Sequence, residues 1–129
     1  MSEEIYCRLV SDLRSLKLPI DEVELFIRPF SKTFYGRYFP SYDDTTKPRI
    51  YVYPFINENN VECYPYTHIL STAIHEMIHH IQYTNSNFVR YKGVMHDTQF
   101  WQLYNHYMNR AIKMNIMEVT YEPQKYATV

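Results

Sequence analysis

Cysteine is scarce in this sequence. Its 129 residues include 2 cysteines, Cys7 and Cys63, and no CxxC pair. Such a chain cannot build a disulfide-rich scaffold or a zinc ribbon from paired cysteines. We therefore expect a protein of a reducing compartment.

The sequence also lacks targeting and membrane signals. Its first residues, Met1-Ser2-Glu3-Glu4, are acidic rather than basic, and no apolar signal core follows them. No apolar run approaches the length of a membrane span. We expect a soluble, cytoplasmic protein without a membrane partner.

Excess positive charge is absent as well. The formal net charge is -1, whereas a dedicated nucleic-acid-binding domain is usually more basic. One local cluster of basic residues could contact phosphates, although a solvated surface explains it more simply. The cluster consists of Arg28, Lys32, Arg37, Lys47 and Arg49.

The remaining composition is that of a folded protein. Apolar residues make up 46% of the chain, and its length suits a single domain, residues 1–129, with one core. One helix, several strands and two further helices are predicted in that order. This order indicates an α+β fold in which helices cover one face of a sheet of three to four strands.

The first half of the chain carries the strand patterns. Residues 3–18 have helical spacing, with Ser2 as a possible N-cap and Pro19 as the stop. Residues 22–28 alternate as a strand, and residues 35–39 are a second extended candidate. Residues 49–56 give the clearest strand, in which Pro54 marks either an edge strand or a strand end.

The second half of the chain is mainly helical. Residues 67–84 form an amphipathic helix with Thr67 as a plausible cap. Asp97 can cap a last helix that runs to about Met114, with Phe100 and Trp101 on its core face. A short strand over residues 116–121 completes the prediction.

His75 and His79 lie four residues apart on the first of these two helices. Residues at this spacing lie one turn apart on nearly the same face, with Cβ atoms ~5–6 Å apart. Two imidazole nitrogens can then converge on one ion at ~2.0–2.1 Å. Glu76 lies beside the ion, where it can act as general base towards a water. The alternative without a metal site is two histidines on an exposed helix face.

A catalytic zinc ion needs a third protein ligand. A metzincin pattern is excluded because it requires Gly at 82 and His at 85, where the chain has Gln82 and Asn85. Two candidates for the third ligand remain, the adjacent residues His96 and Asp97. We favour His96, since a helix start anchored by aromatic residues could hold its imidazole near the motif. Asp97 stays open as the alternative ligand, although its carboxylate has a competing duty as N-cap.

The motif with its third histidine resembles the SprT-like metalloprotease domain, the group that includes Spartan. That family has HExxH, a connection of similar length, and then H-G-x-x-F. The chain has His75-Glu76-Met77-Ile78-His79, sixteen residues, and then His96-Asp97-Thr98-Gln99-Phe100. The match is strongest over residues 67–104 and weaker upstream.

The resemblance implies a small zincin-like domain with Zn²⁺ held by His75, His79 and His96, and with Glu76 as general base. It implies a protein or peptide substrate lying along a sheet edge, for which the strand of residues 49–56 is our candidate. Relatives of the Spartan kind degrade proteins crosslinked to DNA, so DNA-bound proteins are one implied substrate class. Weak candidates for steadying the oxyanion are His68, Tyr66 and Tyr91.

Two features differ from the family pattern. Asp97 stands where the family usually has Gly, which keeps Asp97 open as a ligand, and neither a zinc ribbon nor a long basic tail is present. One alternative function is therefore a catalytically inactive binding module of zincin fold that retains its metal site. A second is a nucleic-acid-binding protein with an incidental HExxH, against which the net charge argues.

Overall fold

The computed structural model describes residues 1–41, 43–85 and 96–118. The chain forms three α-helices and a small mixed sheet, and this confirms the predicted α+β class. In chain order the elements are α1 (Ser2–Ser15), a 3-10 turn (Ile20–Glu22), β1 (Glu24–Ile27), β2 (Gly36–Phe39), β3 (Arg49–Val52), α2 (Tyr66–Thr84) and α3 (Thr98–Lys113).

The strands lie in the order β1-β3-β2, so β3 is the central strand. β1 is parallel to β3, with Leu25 opposite Ile50, and β2 is antiparallel to it, with Tyr38 opposite Ile50. The expectation that a substrate strand pairs with residues 49–56 is therefore wrong, because β1 and β2 occupy both sides of β3. Pro54 marks a strand end, since β3 stops at Val52.

The core lies between one face of the sheet and the helices α1 and α2. Ile50 and Val52 point into it from β3 and are at most 1% exposed, as their alternation with Tyr51 predicted. α1 contributes Leu9 and Leu13. α2 is buried at every position from Ser71 to His80, so it is a central helix rather than a surface helix with one apolar stripe.

The helix ends differ in part from the predictions. Ser2 and Thr67 are not caps, because α1 begins after Met1 and α2 after Pro65, neither with a capping side chain. α1 ends at Ser15, before Pro19, because Lys17 adopts a left-handed φ of 66°. The Leu18 amide then donates to the Leu13 carbonyl, a Schellman closure.

The predicted C-terminal strand is not formed where it can be checked. Residues 116–118 are outside any strand, and residues 119–121 lie outside the described residues. Within the described part of the chain, no helix combines the length and the apolar composition that crossing a bilayer requires.

Candidate metal centre

The two motif histidines lie in the middle of α2, inside the protein. His75 and His79 are each 1% exposed, and their ring centroids are 4.9 Å apart. This burial rules out the alternative of two histidines on an exposed helix face.

His96 brings a third imidazole to the same point from just before α3. Its Nε2 lies 3.1 Å from Nε2 of His75 and 3.2 Å from Nε2 of His79. The three residues form a group whose ligand atoms all lie within 4.8 Å of one another. Tetrahedral coordination at ~2.0–2.1 Å would set such nitrogens about 3.3 Å apart. The observed separations therefore fit three nitrogens that share one ion.

Phe100 holds the three imidazoles in place. Its ring centroid is 4.8 Å from those of His75, His79 and His96 alike. Trp101 adds a second wall, 5.8 Å from the His96 ring. The aromatic residues predicted to anchor the start of α3 thus pack directly against the histidine cluster.

The surroundings favour neutral imidazoles. Burial lowers the pKa of His75 to about 2, with smaller contributions from His79 and His96. Burial also lowers the pKa of His96, although the Asp97 charge opposes this. Metal ligation requires the neutral imidazole, so at neutral pH His75 and His96 are in the form that binds a metal ion.

Asp97 uses its carboxylate for a different purpose. One of its oxygens, Oδ1, accepts from the Phe100 amide at 2.8 Å and from Nε2 of Gln82 at 3.2 Å. The first bond confirms Asp97 as the N-cap of α3, and the second joins this cap to α2. Both bonds orient the segment that carries His96.

Glu76 lies on another side of α2, against β2. Its side chain is fully buried, and neither carboxylate oxygen has a hydrogen-bond partner among the described residues. Burial raises its pKa well above the ordinary value, opposed by the charge of Arg37. A buried polar group without a partner is costly and is a frequent mark of a functional residue.

Gly36 makes room for this carboxylate. A Cβ atom at this position would lie 2.7 Å from Cγ2 of Thr72 and 3.0 Å from Oε2 of Glu76. The extended pattern of residues 35–39 places Gly36 on a predicted strand but gives this glycine no role. The available signal was the scarcity of glycine, since one of only 2 in the chain lies on a strand.

A second buried histidine contact joins α2 to the rest of the fold. Nδ1 of His80 lies 2.8 Å from the Tyr38 hydroxyl, and its Nε2 lies 2.9 Å from Oε1 of Glu22. His80 is 1% exposed. These contacts fix the rotation of α2 relative to β2, and nothing in the sequence spacing predicts them.

The three oxyanion candidates fall in different places. His68 packs between the rings of Tyr35 and Tyr64, at centroid distances of 4.7 and 4.5 Å. Tyr66 donates its hydroxyl to Oδ2 of Asp12 on α1. Tyr91 lies outside the described residues.

Comparisons of the chain with protein-family models, with curated proteins and with solved structures find no match.

Proposed function

We propose that the protein is a zinc-dependent metallopeptidase. The observation that carries this proposal is the convergence of two buried imidazoles of α2 with the half-buried imidazole of His96, which precedes α3. Glu76, next to His75 in the chain, is buried, and its oxygens have no partner among the described residues. Three histidines are a ligand set typical of catalytic zinc, which keeps a fourth position open.

His75, His79 and His96 would hold the ion through their Nε2 atoms. Zinc bound there supplies Lewis acidity, polarising a carbonyl and lowering the pKa of a water toward ~7. The ring of Phe100 excludes solvent from the ligand side and keeps the three imidazoles in one orientation. A rigid, dry ligand set of this kind costs little reorganisation during reaction.

Glu76 is the proposed general base and then general acid. Its carboxylate would accept a proton from the attacking water and pass it to the amine that leaves when the peptide bond breaks. Because its oxygens make no hydrogen bond within the described residues, they remain available for this proton. Gly36 fixes their position by its lack of a side chain.

The proposed substrate is an extended protein segment. β2 pairs with β3 on one side and is an edge of the sheet, and its Gly36 touches Glu76. A peptide added along the outer side of β2 would thus run close to the proposed base. Proteins crosslinked to DNA are one class of such substrates, which the resemblance to Spartan-type domains suggests.

The decisive test compares wild type with Glu76→Gln. We expect the variant to retain about one zinc per chain by elemental analysis, since no ligand is removed. Cleavage of a denatured protein should fall by roughly 10²–10⁴-fold, the usual contribution of a general base. Unchanged cleavage would refute the mechanism, and stoichiometric zinc in a wild type that cleaves nothing would favour the inactive binding module.

A further inference from the structure

The second face of the sheet is built differently from the face that packs on α1 and α2. Strand residues alternate between the two faces, and those that point away from the core are aromatic or basic, except for Glu24. These outward residues are exposed or half-buried, whereas the core-facing residues Leu25, Ile50 and Val52 are buried. We call this second face the open sheet face, and its six defining residues are Phe26, Arg28, Arg37, Phe39, Arg49 and Tyr51.

Three aromatic rings cross the open sheet face from strand to strand. Phe26, Tyr51 and Phe39 lie on β1, β3 and β2, and Tyr51 is the central ring. Its centroid is 5.5 Å from that of Phe26 and 4.8 Å from that of Phe39. Phe26 is 38% exposed, and because its ring adjoins that of Tyr51, the exposed aromatic surface is continuous across strands rather than a single scattered residue.

Guanidinium groups lie among these rings. Arg28 is 5.2 Å from the centroid of Tyr51, Arg37 is 4.6 Å from that of Phe39, and Arg49 is 4.9 Å from the same ring. These are cation–π distances. Three of the five residues of the basic cluster thus lie on one face, each beside an aromatic ring.

We propose that the open sheet face binds single-stranded nucleic acid. Unpaired bases stack on aromatic rings and on guanidinium planes, while arginines neutralise the phosphates between them. A protein partner would not require this repeated pairing of ring and guanidinium. The bases of a duplex are already stacked on one another, so they cannot stack on the rings of the open sheet face. Reading a duplex would instead require an element that inserts into a groove.

This inference is independent of the proposed peptidase activity. α2, which carries His75 and His79, packs against the opposite, core-facing side of the sheet. Nucleic acid on the open sheet face would therefore leave the metal ligands uncovered. Oligonucleotide binding should not change when chelator is added or when His75 is replaced in His75→Ala. A failure of the nucleic-acid proposal can therefore be told apart from a failure of the peptidase proposal.

The test is fluorescence anisotropy with a labelled oligothymidylate of about 12 nucleotides, near the upper range of single-strand site sizes. We expect Tyr51→Ala to weaken binding at least about fivefold, because a stacking ring is lost. Tyr51→Phe keeps the ring and should bind as wild type does. Arg28→Gln should reduce the slope of log K against log salt by about 0.7, the value of one phosphate contact on a single strand.

Arg28 is exposed, so Arg28→Gln remains informative if Tyr51→Ala does not fold. The proposal is overturned if wild type fails to bind at low salt, or if a duplex of equal length competes as well as the single strand. It is also overturned if Tyr51→Ala and Arg28→Gln both bind as wild type does. Loss of self-association in Tyr51→Ala, without oligonucleotide binding by wild type, would identify the face as a protein interface instead.

Discussion

At the scale of single residues, Gly36 leaves no room for a side chain beside Glu76 and Thr72. The missing side chain of Gly36 lets β2 approach α2 so closely that the Glu76 carboxylate is fully enclosed. The approach of His75 to His79 could be predicted because i and i+4 spacing on a helix fixes their geometry. The Gly36 contact could not, because it depends on how a strand forty residues earlier docks on that helix.

We expect Gly36→Ala to impair both stability and activity. The new methyl would meet Thr72 Cγ2 at 2.7 Å and Glu76 Oε2 at 3.0 Å, and overpacking of this kind costs about 1–3 kcal/mol of unfolding free energy. If Glu76 is the general base as proposed, its displacement should lower peptide hydrolysis by about tenfold or more, since small misplacements at a reacting group have large effects. Denaturant unfolding and a cleavage assay measure the two effects.

A double variant, Gly36→Ala with Thr72→Ser, separates the effect on stability from the effect on hydrolysis. Serine lacks the Cγ2 atom but keeps the hydroxyl that donates to the His68 carbonyl at 2.9 Å. Much of the lost stability should return, while hydrolysis stays low because the contact with Glu76 remains. A Gly36→Ala protein as stable and as active as wild type would contradict this account.

At the scale of elements, local sequence signals predicted where the helices lie better than they predicted which elements pack against one another. The apolar spacing of α1, the helical extent of α2 and the Asp97 cap of α3 are properties of short segments, and the structure confirms them. That α2 is buried on all sides, rather than amphipathic, is not a local property. The order of the strands is not a local property. β3 lies between β1 and β2 because of pairings between residues that are 10 to 25 positions apart, and no pattern within residues 49–56 records them.

One contact between elements ties the start of α2 to α1. Tyr66 donates its hydroxyl to Oδ2 of Asp12 at 2.5 Å, and the Arg8 guanidinium lies 3.5 Å from the centroid of its ring. We expect Tyr66→Phe to lose about 1–2 kcal/mol of unfolding free energy, because the partner of this hydrogen bond is a carboxylate. Denaturant titration measures the loss, and Tyr6→Phe, on the exposed side of α1, should change stability by less than about 0.5 kcal/mol.

The same contact predicts a dependence on pH. Burial, the hydrogen bond to Asp12 and the charge of Asp12 raise the pKa of Tyr66 above its ordinary value, which is about 10 in the unfolded chain. The folded state thus keeps a proton that the unfolded chain releases, and the contribution to stability is complete below about pH 10 and declines above it. Tyr66→Phe should lose stability less steeply than wild type over this range, and parallel curves would count against the assignment.

At the scale of the whole molecule, the candidate metal site joins α2 to the segment that leads into α3. His75 and His79 belong to α2, and His96 precedes α3, with residues 86–95 between them outside the described part of the chain. The sequence indicated His96 because Phe100 and Trp101 follow it on a capped helix. How these rings enclose the imidazoles depends on the docking of α3 on α2, which tertiary packing decides.

Metal removal should therefore lower the stability of the entire fold. An ion that binds only the native state at 100 times its Kd adds about 2.7 kcal/mol, which corresponds to roughly 8–12 °C in Tm for a chain of this length. Thermal unfolding with zinc and with chelator measures the shift. His96→Ala should abolish it, whereas Asp97→Asn should keep most of it, because asparagine still caps a helix. The reverse pattern would make Asp97 the third ligand, and no shift in wild type would argue against a metal site.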